Sequence, residues 1–538
     1  MKKNNSIYNF FTNILALLLE IPPFGKNLRW ASLFLLCFYA CQKEIIEIPR
    51  IPYAPTNIDA KAGTWKTYVL TTPSDISIAE PKEATSPEYV AEIAKLKTTI
   101  STLTTDQKAA VEYWGAGSVY RWNEIARELC AKYNLAPAAK ADGTYPVPNA
   151  DSTKKNPNYY PKFPFANPPY ASRALANLSV AQYDALVSAW HYKFKFNRLS
   201  PSKNDASVTT ALPLTSLPSY PSEDAVVAGA SYTILVAMFP AEVPFLDAKL
   251  AEAKNTRFWA GMNVESDVVA GEGLGKAVAA KIMARAKTDG MGAANNQALT
   301  AGMIDNAKNK LGITQVWETQ ELPKRPPLLP TFGLVMPWNF DKSLTPTLRP
   351  VAPPSIGSYE FNKNIEELVA IAKKQSREQA RIASFWSDGA GSYTPPGHWH
   401  PTAANLCYDN KFSEVRTART LALMGTALMD AGISCWDTKY YYYYPRPNQM
   451  DSRIKTSVGL PNFPSYTSGH STFSAAAASV LAYVFPTEAT QLEAQAKEAS
   501  ESRIYGLIHY RFDCEKGLEI GKKVGNYAVE RGRKDGSQ

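Results

Sequence analysis

Histidine is scarce in this chain, five among 538 residues. Chemistry that needs an imidazole must draw on very few positions, so where they fall carries weight. The six cysteines have no regular spacing, which argues against both a zinc pattern and a disulfide framework. No apolar run reaches the roughly 18 residues that a membrane-crossing helix needs. The formal charge of +9 is modest for this length and its Lys and Arg form no long basic run, so nucleic acid is not an expected partner. Strand-like alternation is rare. What the chain has is length enough for two or more domain-sized units and long Ala/Leu-rich stretches such as "VRTARTLALMGTALMDAGISCW" and "TFSAAAASVLAYVF". Their periodicity is helical.

The N-terminus reads as a targeting segment. Lys26 and Arg29 precede a short apolar run that ends at Ala40-Cys41, followed by Gln-Lys-Glu. This is the layout of a secretory signal. "YAC" resembles a bacterial lipoprotein cleavage box, which makes Cys41 the expected site of lipid attachment. A plain signal peptide and a buried N-terminal helix are the alternatives. Lipidation implies an extracytoplasmic, membrane-anchored protein of the periplasm or outer membrane. A second apolar run, "FFTNILALLLEI", lies upstream, so the true translation start is open.

Internal repetition organises the rest. "SYPSEDAVVAGASYTILVAMFP" (219–240) and "SYTSGHSTFSAAAASVLAYVFP" (465–486) lie 246 positions apart. The same offset pairs Arg173 with Arg419, Asp184 with Asp430, Trp190 with Trp436, Lys193 with Lys439, Arg257 with Arg503 and Asp267 with Asp513. A looser match joins "YWGAGSVYRWNEIARELC" (113–130) to "FWSDGAGSYTPPGHWHPTAANLC" (385–407). The expected fold is all-α: two related helical bundles, an internal duplication, packed into one body. The divisions are a signal peptide over 1–41, a tether and N-terminal extension over 42–94, a degenerate repeat serving as scaffold over 95–290, a proline-rich connector over 291–359 and a catalytic helical domain over 360–538. Proline excludes long helices from the connector.

Function should lie where the copies differ. Gly469-His470 faces Glu223-Asp224 in the register, His509 faces Asn263, and Arg446-Pro447 faces Ser200-Pro201. The second copy keeps cations and imidazoles where the first has acids or neutral groups. "SGHSTFSAAAA" reads as a helix start capped by Ser468 or Ser471, and Gly469 lets a main-chain amide approach an anion. Lys439 comes at a helix end just before Arg446, and Arg503 adds a second planar fork for an oxyanion. His509 and Asp513, four apart, are expected to share a helix face, with the carboxylate fixing the imidazole tautomer.

The ordered set Lys439-x6-Arg446-Pro447, Ser468-Gly469-His470 and Ser502-Arg503-x5-His509-x3-Asp513 resembles the three-part signature of the type 2 phosphatidic acid phosphatase (PAP2) and vanadium-dependent haloperoxidase superfamily. "DGAGSYTPPGHWHP" resembles its soluble, duplicated, haloperoxidase-like branch. Thr467 stands where that family usually has proline, a change expected to alter loop stiffness but keep the site. The resemblance implies that Lys439, Arg446 and Arg503, with Ser468 and the Gly469 amide, neutralise the oxygens of vanadate or phosphate. It implies that His509 binds vanadium or attacks phosphorus, that His470 is the acid–base, and that Asp513 orients His509.

The favoured function is vanadate-dependent oxidation of halide by hydrogen peroxide. The alternative is acid phosphatase action on phosphate monoesters through a phosphohistidine, with no cofactor. A third reading is an extracytoplasmic binding lipoprotein with a decayed site. His398, Trp399 and His400 are candidates for the pocket entrance, with an ordinary loop around a packed tryptophan as the alternative. Tyr440–Tyr444 read as helix packing. Halide identity and oligomeric state are not written in these motifs.

Overall fold

A computed structural model describes residues 49–145 and 164–537; Cys41 and the targeting segment lie outside these residues. The described residues form one compact unit. Among the described residues the regular structure is helical, with no strand. In the first half the long helices are α1 (Pro87–Ser101), α2 (Thr105–Gly115), α3 (Ser118–Tyr133), α4 (Pro168–Phe196), α5 (Glu223–Met238), α6 (Val243–Trp259) and α7 (Glu265–Thr288). In the second they are α8 (Tyr359–Lys373), α9 (Arg377–Phe385), α10 (Thr394–Asp409), α11 (Glu414–Tyr442), α12 (Gly469–Val484), α13 (Ala489–Tyr505) and α14 (Arg511–Gly532).

The centre is the pair α4 and α11. Each spans 29 residues, starts at an Asn167 or Ser413 cap, and stops at a left-handed residue, Asn197 or Tyr443. Both are buried on nearly every face, and the polar side chains among them, such as Arg173, Asp184, Arg419 and Asp430, are buried too. They cross at Gly425, where a Cβ would sit 3.5 Å from the Ala176 Cα, an ordinary packing distance.

Side-chain anchors recur at the spacing seen in the sequence. Arg173 donates to Asp289 and the Ala286 carbonyl; Arg419 donates to Asp535 and the Gly532 carbonyl. Asp184 accepts from the Tyr68 and Val69 amides, and Asp430 from those of Trp338 and Asn339. The indole of Trp114 donates to Glu252, that of Trp386 to Glu498.

The proline-rich connector contains only short turns of helix, as its composition requires. Its carbonyls are held by tyrosine hydroxyls: Tyr440 donates to Leu328, Tyr442 to Pro350, Tyr444 to Pro354 and Tyr466 to Val351. The tyrosine run is therefore a packing device. Residues 49–59 form no helix, Ala62–Thr64 make a single 3-10 turn, and the arm is not loose. Arg50 pairs with Asp409, the Tyr53 hydroxyl donates to Phe412, and Asp59 accepts from Ser413 and Arg416, so this arm is fastened to the second half.

Candidate active site

Five segments of the second half bring their ends together. Lys439 lies in the last turn of α11 with its ammonium wholly buried, donating to the carbonyls of Pro464 and Ser465 at 2.8 Å each. Arg446 follows the helix stop and is equally buried; it donates to the Phe463 and Ile508 carbonyls, and its Nη1 lies 3.3 Å from His509 Nε2. Arg503, in the last turn of α13, donates to Ser502 Oγ and the Ala383 carbonyl. Ser468 caps α12, accepting from the Ser471 amide, so Gly469 and His470 form the first turn. The first amides of a helix have no intrahelical acceptor and favour an anion.

His509 precedes α14 instead of lying on it. The expectation that His509 and Asp513 share a helix face is therefore corrected. Asp513 is the third residue of α14, and its carboxylate turns back over the helix start to the Tyr510 amide and to His509 Nδ1, at 2.8 Å. Ser465 Oγ donates to the same carboxylate oxygen at 2.6 Å. An acceptor on that side places the imidazole proton on Nδ1, leaving the Nε2 lone pair toward Arg446. Helices α12 and α14 can lie close enough for this because glycine occurs at the crossing. A Cβ on Gly517 would sit 2.8 Å from the Ser468 carbonyl, and one on Gly521 would collide with that of Thr472.

The electrostatics show that the groups converge. Burial lowers Lys439 to about 8 and Arg446 and Arg503 to about 10. His509 is pushed well below the usual imidazole range by burial, then by Arg446, Lys439, His470 and Arg503. Burial and Arg503 also lower His470, against the opposing pull of Asp388. Asp513 is raised to about 6 by burial. Buried positive charge thus exceeds the negative charge facing it, a costly arrangement unless an anion is added.

Three sequence expectations concern the entrance. His398 is beside the pocket: its Nδ1 is 3.0 Å from Asp388, and its ring stacks on Trp386 at 4.2 Å. Trp399 and His400 do not line an opening, which corrects that expectation. Trp399 is buried with its indole on Ser474, and His400 is buried against Asn123 of α3, its imidazole lowered to about 3 by burial. Successive helical residues point about 100° apart, so three neighbours cannot share one exposed face.

Two participants were not singled out from the sequence. Asp388 lies between His398 and His470, 3.8 Å from His470 Nε2, and Ser465 shares Asp513 with His509. Each stands inside a quoted segment, "WSDGAGS" and "SYTSGHS", whose register gave the only hint.

Residues 420–530 match the family model of the PAP2 superfamily. The PAP2 segment contains the whole set from Lys439 to Asp513. A solved structure described as the first bacterial vanadium-dependent iodoperoxidase is 25% identical, aligns with a TM-score of 0.53, and is matched over 68% of this chain and 91% of its own. Holo and apo forms of a bacterial vanadium-dependent chloroperoxidase align at 13% and 12% identity with TM-scores of 0.49; the matches cover 69% and 70% of this chain and 93% and 96% of theirs. No curated protein matches the sequence.

The pocket's donors are cationic N–H groups, helix amides and an imidazole lone pair. They suit a metal presented as an oxyanion, and His470 Nε2, buried without a partner, is free to meet it. Vanadate and phosphate both fit this description.

Proposed function

We propose that this protein is a vanadium-dependent haloperoxidase-like enzyme that holds vanadate in the PAP2 pocket and oxidises halide with hydrogen peroxide. The observation that carries the reading is the surplus of buried positive charge around the imidazole of His509. Likeness to an iodoperoxidase structure makes iodide the first halide to test. Lys439, Arg446 and Arg503 would neutralise the oxygens, with the Ser468 hydroxyl and Gly469 amide completing the cradle. His509 would be the ligand through Nε2, its proton held on Nδ1 by Asp513. Bound vanadate would supply the electrophilic centre at which peroxide becomes an oxidant of halide. His470 would exchange a proton with the oxygen facing it; it is neutral in the free pocket, and a bound polyanion raises its proton affinity.

The His509 lone pair also favours a second reading, phosphate-monoester hydrolysis. Nε2 would form the bond to phosphorus as the ester oxygen leaves with a proton from His470. Water would then cleave the P–N bond and release phosphate.

Purified protein distinguishes the readings. Iodide oxidation that requires peroxide and appears only after vanadate is added supports the first. Hydrolysis of a chromogenic phosphate monoester, inhibited by vanadate, supports the second. His509→Ala should abolish either activity, and a fully active variant would remove His509 from the mechanism. Neither activity in the parent protein would leave a binding protein. The same reading includes two copies of one helical unit, a lipid on Cys41 and an extracytoplasmic location; mass spectrometry of the membrane-extracted N-terminus tests the last two.

A further inference from the structure

The first half has its own version of the pocket. Lys193 ends α4 wholly buried and donates to the carbonyls of Pro218 and Ser219, as Lys439 does to Pro464 and Ser465. Arg257 stands near the end of α6 as Arg503 does in α13. Ser222 caps α5 in the place of Ser468, and its buried hydroxyl has no partner.

The anion is what differs. Where the second half has Gly469 and His470, the first turn of α5 carries Glu223 and Asp224. Glu223 pairs with Lys193 at 2.7 Å and lies 3.8 Å from Arg257, while Asp224 pairs closely with Arg257. Arg198 turns away to Asp267, so the set is two cations against two carboxylates. The surplus of charge seen in the second half is absent because the chain supplies the counter-anion. Glu223 and Arg257 keep 14% and 15% of their side-chain surface exposed, so the cluster reaches solvent, as does His470 at 13%.

We propose that this cluster is a second oxyanion pocket closed in cis, with the Glu223 and Asp224 carboxylates standing in for a tetrahedral oxyanion held by Lys193, Arg257, Ser222 and the first amides of α5. Removing the two charges while keeping side-chain shape should open it to phosphate. Glu414 approaches from α11, bound to the Ser118 and Val119 amides; its carboxyl is held up to about 7 by burial and by Asp224, so the pocket is tested near pH 6.

The test is the stoichiometry of inorganic phosphate binding, by equilibrium dialysis on the full chain. The parent should bind one phosphate and Glu223→Gln/Asp224→Asn two, and adding Lys193→Met should return the count to one. A folded double variant that binds no more phosphate than its parent overturns the proposal. If the double variant does not fold, Glu223→Gln alone is melted in phosphate and in chloride of equal ionic strength. Phosphate should then raise its Tm by several degrees more than it raises the parent's, and an equal shift overturns the proposal. A parent that binds no phosphate speaks against the second-half pocket; the gain of one in the double variant is read separately.

Discussion

At His509 a single proton decides what the residue can do. Asp513 accepts it from Nδ1, and the opposite nitrogen then keeps its lone pair. The carboxyl of Asp513, raised to about 6, is ionised above that pH and loses its accepting charge below it. Activity should therefore rise as pH increases through about 6. Asp513→Asn should lower activity by about 10- to 100-fold and remove that limb from the kcat profile. An unchanged limb in the variant would assign it to another group. Lys439 gives the opposite slope. In the free pocket burial holds it to about 8, and a bound oxyanion restores its charge. Oxyanion affinity should be full below pH 8 and fall above it, by up to about tenfold per pH unit, with proton uptake visible by calorimetry near pH 9. Affinity independent of pH over that range would show that Lys439 keeps its proton without the ligand.

Among the helices, the crossing of α12 and α14 matters most, because it sets Ser468, Gly469 and His470 against His509 and Asp513. The Ser468 amide donates to the Asp513 carbonyl across this contact. Gly521→Ala would drive a methyl into the Thr472 carbonyl, and the helices must part. We expect a loss of about 1–3 kcal/mol in stability, read by thermal melting, and a larger loss of activity than Gly389→Ala, where a Cβ meets nothing within 4 Å. Equal effects would mean that the crossing does not position the site. Legibility varied among the elements. The cap at Ser468, the helix end between Lys439 and Arg446 and the turns of the connector follow from local rules, and the structure has them. The position of His509 ahead of α14 did not follow, because Asp513 satisfies the amide of Tyr510 by a contact that begins the helix after the histidine.

Over the whole molecule, the first half is the wall on which the second is built. Helix α11 is buried along its length, with α4 at the Gly425 crossing, and the arm at 49–65 is fastened to the second half. Residues 360–538 expressed alone should expose that face and aggregate without a cooperative melt, whereas co-expression with residues 47–359 should recover a soluble complex. A monomeric, cooperatively melting fragment would show that the second half is self-sufficient. The sequence by itself determined the helical class, the 246-residue register and the ordered cations and histidines, because these rest on local periodicity and residue type. Only the tertiary structure decided that Trp399 and His400 face inward, that Asp388 and Ser465 join the histidines, and that Glu223 and Asp224 neutralise the first half's cations. Those outcomes depend on which distant segments meet and how much water they exclude, and burial of a charge is a property of the packed molecule.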